Sequence, residues 1–349
     1  MREVARLADV SLATVSAVVN GTAPVTPVRM ERVRKAIDAL DYHPDQVARS
    51  LKTGHTNVVG MVVPDITNPF FPLVVRAVEQ TAYEAGYSII LCDSGEDATH
   101  EQHHLKTLFA RRVDGVLLAC TDVSTAYESL VKRPFPIVFV DRMPPGLPVS
   151  AVAIDNVDAA YQATRHLIVL GHERIAILIG NLRLSTHIGR LEGFRKAMQE
   201  KPLPVRGEYL CTSEIHTESA YQAARALLTL PEAPTAIICS NNRLLLGLIR
   251  AIREAGVACP DTVSIVGFDD NVWTGNFNPS VTAIAHPTYE IGRQAMTMLL
   301  KRIRDKGKDA PASEVVLLKG ELRVRDSTAP CRCTCAEASP PLQRPPHLR

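Results

Sequence analysis

Three groups of residues in this sequence have types and spacings that could do chemistry. His100-Glu101-Gln102-His103-His104 carries the H-E-x-x-H spacing, which puts two imidazoles on one helix face where they could share a metal ion. Leu105, Leu108 and Phe109 claim the buried face of the same stretch, Thr99 is placed to cap it, and no third ligand is evident. It therefore reads as the solvated start of a helix, and no metal is expected. Cys331, Cys333 and Cys335 alternate with single residues and have no histidine beside them, which suits a metal poorly. The third group is Asp65-Ile66-Thr67-Asn68-Pro69-Phe70-Phe71, a polar loop with two aromatics ahead of a helix. Asp65 and Asn68 can bond hydroxyl groups, and Phe70 can stack on a sugar or base face. Arg190 and Asp269 each fit two readings: contact with a small ligand, or an ordinary ion pair for the first and a turn cap for the second. Asn241-Asn242, after a strand, adds polarity of the same kind. Neither a G-x-S-x-G elbow nor a Walker loop occurs, so no catalytic residue, no enzyme activity and no cofactor is expected.

The elements that must position these residues follow from the apolar pattern. From Val58 the chain repeats strand, loop, helix, with apolar runs such as Val58–Val63, Gly115–Cys120, Arg174–Ile179, Ala236–Cys239 and Ser264–Phe268. Amphipathic helices lie between them, among them Leu73–Ala85, Ile188–Glu200 and Leu244–Ala255. Apolar strands alternating with helices predict parallel sheets covered on both faces, and the number of strands fits two doubly wound lobes better than one wide sheet. In such sheets ligands bind beyond the carboxyl ends of strands, and two lobes set two such edges face to face.

Composition limits the partners. The formal net charge of +2 leaves nucleic acid to a local basic surface. No stretch reaches the length a membrane span needs, no secretory leader is apparent, and five cysteines are scattered singly through apolar runs. A cytoplasmic location with reduced thiols is expected.

Residues 1–44 have a different rhythm. Val4, Ala5, Ala8, Val10, Val15, Val18 and Val19 fall where two short packed helices need apolar contacts. Asp9 sits at the turn between them, Ser11 can cap the second helix, and Asn20-Gly21 stops it. A third helix opens at Thr26-Pro27, with Arg29, Arg32, Arg34 and Lys35 near a candidate phosphate surface. A second helix of this kind lies in the major groove in a helix-turn-helix, although Leu12-Ala13-Thr14-Val15-Ser16 offers no Arg, Asn or Gln for bidentate base contacts.

Ala5-Arg6-Leu7-Ala8-Asp9-Val10-Ser11, Thr14-Val15-Ser16 and Val18-Val19-Asn20-Gly21 resemble the headpiece of the LacI/GalR family of bacterial regulators. The resemblance continues through Tyr42-His43-Pro44, Val47-Ala48-Arg49-Ser50-Leu51-Lys52, the Pro64–Phe71 loop, Arg112-Val113-Asp114-Gly115, Gly171-His172, Gly189–Phe194 and Gly267-Phe268-Asp269-Asp270. It implies an all-α helix-turn-helix headpiece at 1–44, a hinge helix and linker at 45–57, and a periplasmic-binding-protein-like α/β core of two doubly wound lobes at 58–326. Lobe 1 would take about 58–156 and 285–312, lobe 2 about 157–284 and 313–326, with a disordered tail at 327–349. It further implies a homodimeric repressor on double-stranded operator DNA, contacted by Ser11, Leu12, Ala13, Thr14, Ser16, Ala17 and Asn20, with Leu51 as a minor-groove wedge flanked by Ala48 and Lys52. Asp65, Asn68, Phe70, Arg190, Asn241 and Asp269 become the effector-binding candidates. Two positions depart from the family. Ala17 stands where Arg is common, which alters operator choice, and the family usually has a few residues ahead of Met1. Purine-sensing members carry Arg at the position of Leu184, so a monosaccharide or related polyol is the expected effector. The alternatives are a purine or other corepressor, or a sugar-binding protein without a DNA role.

Overall fold

Short helices form where their ends are satisfied, and the N-terminal unit shows how. In the computed structural model, which describes residues 1–21, 23–42, 54–121, 126–305 and 313–332, α1 spans Arg2–Ala8, α2 Leu12–Asn20 and α3 Pro27–Ala39. Asp9 ends α1 in the left-handed region at φ 50°, which Asp tolerates better than most residues. The Ser11 hydroxyl accepts the Thr14 N–H at 3.2 Å to cap α2, and Gly21 at φ 61° closes it. Val4, Ala5, Ala8, Val15, Val33 and Ala36 form the small core of this unit. Arg32 donates to the Asp9 carbonyl at 3.2 Å and to its carboxylate at 2.9 Å, which pins α3 to the turn. The hinge candidates Ala48, Leu51 and Lys52 lie outside the described residues.

The chain divides into two compact units at Asn57/Val58. The second unit opens with β1 (Val58–Val63), α4 (Phe70–Glu84), β2 (Ser88–Asp93), α5 (Ala98–Ala110), β3 (Gly115–Leu118), α6 (Ala126–Val131), β4 (Ile137–Val140) and β5 (Ala151–Ile154). It continues with α7 (Asn156–Val169), β6 (Ile175–Ile179), α8 (Ser185–Glu200), β7 (Leu210–Thr212), α9 (Thr217–Leu228), β8 (Ala236–Cys239), α10 (Asn242–Glu254) and β9 (Ser264–Phe268). After α11 (Val272–Asn276) come β10 (Thr282–Ala285), α12 (Thr288–Arg304), β11 (Val315–Leu318) and β12 (Glu321–Arg323).

These strands make two six-stranded sheets, β11-β5-β4-β3-β1-β2 in lobe 1 and β12-β10-β9-β8-β6-β7 in lobe 2. All pairings are parallel except β10 with β12. Helices cover both faces, which is why β3, β4, β5, β6, β8 and β9 are buried along their whole length and read as unbroken apolar runs. One continuous apolar core runs through both lobes, from Phe71 and Val74 to Leu167, Phe194 and Phe268. Two glycines set the close helix packing that fixes the cleft walls. A Cβ on Gly193 of α8 would stand 2.1 Å from the Val157 carbonyl of α7, and one on Gly292 of α12 would stand 2.5 Å from the Val74 carbonyl of α4.

The chain passes between lobes at Asp155, at His286-Pro287 and at Lys319-Gly320. The third crossing falls later than the 312/313 division expected from sequence. β11 pairs in parallel with β5 from Val315↔Ala151 to Leu318↔Ile154 and so belongs to lobe 1. Its alternating exposure is that of an edge strand, a pattern that suits the edge of either sheet.

The expectation of a disordered tail from 327 fails for its first six residues. Residues 327–332 strap the N-terminal ends of the lobe 2 strands. The buried Ser327 hydroxyl donates to the Ile265 carbonyl at 2.7 Å and accepts the Thr282 N–H at 2.8 Å, the Ala329 N–H donates to Ser264 Oγ at 3.1 Å, and the Cys331 N–H donates to the Leu170 carbonyl at 2.8 Å. Short hydroxyl side chains here satisfy backbone groups that strand starts leave open. Residues 333–349 lie outside the described residues. Among the described residues no helix is long and apolar enough to cross a membrane, and no group of three or more metal-ligating side chains occurs.

Candidate functional site

Two surfaces carry the candidate residues. In the N-terminal unit the start of α2 is presented outward: Ser11, Leu12 and Ala13 are exposed, Thr14, Ser16 and Ala17 half-buried, and Val15 turns into the core. This is the 3.6-residue period of a helix that packs one side and offers the other. Ser11 is partly committed, since its hydroxyl caps α2 and lies 2.9 Å from the Thr14 hydroxyl. Nothing is described of the Asn20 side chain.

The second surface is the cleft between the lobes, at the carboxyl ends of β1, β4, β8 and β9. Asp65 pairs with Arg243 of α10 across the cleft and accepts the Thr67 N–H at 2.9 Å and the Thr67 hydroxyl at 2.6 Å, so it stands at the rim. The Asn68 amide is buried, and its Oδ1 accepts both the Phe70 N–H at 3.1 Å and Asn242 Nδ2 at 2.8 Å, which joins the lobes. Phe70 meets His286 edge to face at 5.4 Å. Arg190, 3% exposed, stacks its guanidinium 4.4 Å over the Phe268 ring, donates from Nε to Asn156 Oδ1 at 2.8 Å and from Nη1 to the Ser240 carbonyl. Asp269 has φ 64°; its Oδ2 accepts the Asn242 N–H at 3.3 Å and its Oδ1 lies 3.6 Å from His286 Nε2. Asn241 differs from the other five. Its Oδ1 caps α10 by accepting the Leu244 N–H at 2.9 Å, and the neighbouring Asn242 is the one that reaches into the cleft.

Sequence reasoning missed several groups that this geometry brings in. Asp141, at φ 62°, and Arg142 follow β4 and are both buried. Arg142 donates two bonds to Glu96, at 2.7 and 2.9 Å, with its guanidinium 5.8 Å from the Phe71 ring. Asn156 holds Arg190, and His187 and His286 line the interior. The signal available was a carboxylate at a strand end followed by an arginine, the same kind of position that Asp269 occupies. Glu101 of the H-E-x-x-H stretch is another correction. It is 2% exposed rather than solvated, and it accepts the Thr121 N–H at 2.8 Å, the Thr121 hydroxyl at 2.5 Å and the Tyr127 hydroxyl at 2.5 Å. Asp97, not Thr99, caps that helix, accepting the Thr99 and His100 N–H groups at 2.6 and 3.0 Å.

Burial and charge set the chemistry of the cleft. Loss of solvation pushes the Asp141 carboxyl up to about 6 against the pull of Arg190 and Arg142, while the nearby Asp269 adds to the rise. Burial takes His187 down to about 3 and His286 down to about 4, so both are neutral near pH 7. Four buried polar atoms here have no hydrogen-bond partner: Asp141 Oδ1, Asn242 Oδ1, and Nδ1 and Nε2 of His286. Leaving such atoms unpaired costs about 1–3 kcal/mol each, which a static core avoids and a ligand site accepts. The cleft can therefore take a ligand that offers several hydroxyl or N–H groups beside the aromatic ring of Phe70.

The comparisons with known proteins follow the same division of the chain. The description "Bacterial regulatory proteins, lacI family" matches residues 1–45, and "Periplasmic binding proteins and sugar binding domain of LacI family" matches residues 56–321. The chain is 37% identical to the HTH-type transcriptional repressor PurR of Photobacterium profundum, over 94% of this chain and 98% of that protein. The lac repressor dimer bound to operator and the anti-inducer ONPF superposes with a TM-score of 0.82 at 26% identity, covering 93% of this chain and 98% of that one. A LacI family transcriptional regulator from Enterococcus faecium with bound ribose gives 0.69 at 31% identity, covering 79% and 100%. The matched proteins are transcriptional regulators, not enzymes. This chain belongs to the LacI family of bacterial regulatory proteins, and is a DNA-binding repressor with a ligand-binding core of two parallel-sheet lobes.

Proposed function

We propose that the chain is a cytoplasmic homodimeric repressor whose operator affinity is set by a monosaccharide or related polyol bound between the lobes. The observation that carries the effector class is the polar set of the cleft. Asp141, Asp269, Asn242 and Arg190 supply closely spaced acceptors and donors, which match neighbouring hydroxyl groups, and Phe70 supplies an apolar face for a sugar ring. Leu184, buried at the start of α8, is apolar where the family resemblance implies Arg in purine-sensing members. The regulator crystallised with ribose supports the same reading. The purine alternative keeps its own support, the 37% identity to a PurR repressor.

On the DNA side, Ser11, Leu12, Ala13, Thr14, Ser16, Ala17 and Asn20 read the operator, and Ala48, Leu51 and Lys52 engage its minor groove. Effector and operator are linked because the ligand changes operator affinity only as far as it prefers one arrangement of the lobes. Melting of the full chain with D-ribose, D-glucose, D-galactose, hypoxanthine and guanine tests the effector class. A true effector at about 100 times its Kd adds about 2.7 kcal/mol and raises Tm by several degrees. The sugar reading predicts a rise with a sugar, with operator binding in a mobility shift changed by the same sugar. A rise with a nucleobase and none with the sugars replaces it with the purine reading.

A further inference from the structure

The buried cations of the cleft are engaged before any ligand arrives. Arg142 and Arg190 are the only buried Arg or Lys residues among the described residues. Two nitrogens of Arg142 are taken by Glu96. Arg190 interacts electrostatically with both Asp141 and Asp269 and gives hydrogen bonds to Asn156 and Ser240. Arg243 at the rim is held by Asp65 and Thr67. Two interior guanidiniums thus face three carboxylates, those of Glu96, Asp141 and Asp269, and the two buried histidines stay neutral.

Two helix N-termini at the cleft, the usual seats of a phosphate, are occupied as well. The Phe70 N–H at the start of α4 goes to Asn68 Oδ1. At the start of α10, the Asn242 N–H goes to Asp269 and the Leu244 N–H to Asn241. The start of α8 carries no side-chain cap and follows the buried, apolar Leu184. A phosphate ester would bring about 1.5–2 negative charges into a site that already holds more carboxylates than guanidiniums, and it would lose its hydration with no unengaged buried cation among the described residues in exchange.

We infer that the effector is an uncharged molecule, and that the cleft rejects the phosphate ester of the compound it accepts. This rests on the cleft being the effector site, not on the effector being a sugar. Calorimetry on the full chain compares three pairs: D-ribose with its 5-phosphate, D-glucose with its 6-phosphate, and inosine with its 5′-monophosphate. In whichever pair binds, the ester is expected to be weaker by about a hundredfold or more, the cost of an unmatched buried charge. An ester that binds as well as its parent, or without it, overturns the inference. Binding in the inosine pair alone overturns the sugar reading and leaves the charge inference to be judged on that third pair.

Inorganic phosphate is a probe that needs no known parent. The wild-type cleft is expected not to bind it saturably at millimolar concentration. Glu96→Gln, which releases the Arg142 guanidinium, is expected to bind it at least about tenfold more tightly. Phosphate binding by wild type that is lost in Arg142→Gln would show a working anion seat and overturn the inference.

Discussion

β4 and β9 occupy the same position in the two sheets, third from the β11 and β12 edges, and each is followed by an Asp in left-handed backbone. Asp141 has φ 62° and Asp269 has φ 64°. Their surroundings differ. Asp269 accepts the Asn242 N–H and faces His286, while Asp141 Oδ1 has no partner and its carboxyl titrates up at about 6. Equivalent backbone placement therefore does not give equivalent chemistry. The flanking groups decide which carboxylate finds its donors within the protein and which awaits a donor from elsewhere. Arg190 interacts with both, so variants around it separate the two roles.

The largest effect is expected from Arg190→Gln. Removing a buried cation that faces two carboxylates leaves uncompensated charge, which costs about 3–5 kcal/mol. The unfolding midpoint in denaturant should fall accordingly, and the effector response should vanish. A loss below about 1 kcal/mol would mean that solvent, not Arg190, balances the pair.

Asp269→Asn comes next. It removes a charged acceptor from the proposed contact set, a change of about 1.5–3 kcal/mol or ten- to a hundredfold in effector affinity. Operator affinity without effector should be unchanged, because the substitution lies far along the chain from the N-terminal helices. Unaltered effector affinity in calorimetry would move the contact to Asp141 alone.

Asp141 should show itself through pH. Its folded pKa is raised to about 6 from 3.8, so its protonated form stabilises the empty core at low pH, and that stability is lost as pH rises through about 6. Hydroxyl donors from a ligand favour the ionised carboxylate, so binding releases a proton. Effector affinity should rise about tenfold from pH 5 to pH 7.5, and Asp141→Asn should flatten the profile. A profile of equal slope in Asp141→Asn would assign the proton to another group.

How far the sequence told this story depends on which end of each element is considered. The apolar interiors of the strands were legible because parallel sheets bury both faces, and the turn chemistry of Asp9, Ser11 and Gly21 located the headpiece helices. The first turns of the core helices were not. Periodicity placed their starts at Leu73, Ile188 and Leu244, whereas they begin at Phe70, Ser185 and Asn242. Those first turns mix side chains that serve the cleft or the cap with core residues such as Phe71, which obscures the 3.6-residue period there. Asp141 and Arg142 were missed for a related reason: they follow a fully buried strand of four residues, and only the paired sheets bring them opposite Arg190. The edge strand β11 was assigned to the wrong lobe because its pairing is a long-range property that its alternation does not encode.

The smallest predicted effect is also the sharpest test of that boundary between cap and cleft. Asn241 and Asn242 are adjacent and chemically identical, yet α10 turns one inward to its own backbone and the other toward the opposite lobe. Asn241→Ala removes an N-cap and should cost about 1 kcal/mol of core stability, with effector affinity changed less than about threefold. Asn242→Ala leaves the cap in place. It removes the 2.8 Å bond to Asn68 and the unpaired Oδ1 in the cleft, so it should weaken effector binding by about 1 kcal/mol or roughly fivefold while stability changes little. Denaturant melts and calorimetry on the two variants, run side by side, read both quantities. If Asn241→Ala were the variant that lost effector binding, the effector would reach the N-terminus of α10 directly. The filled helix ends that argue for an uncharged ligand would then have to open on binding.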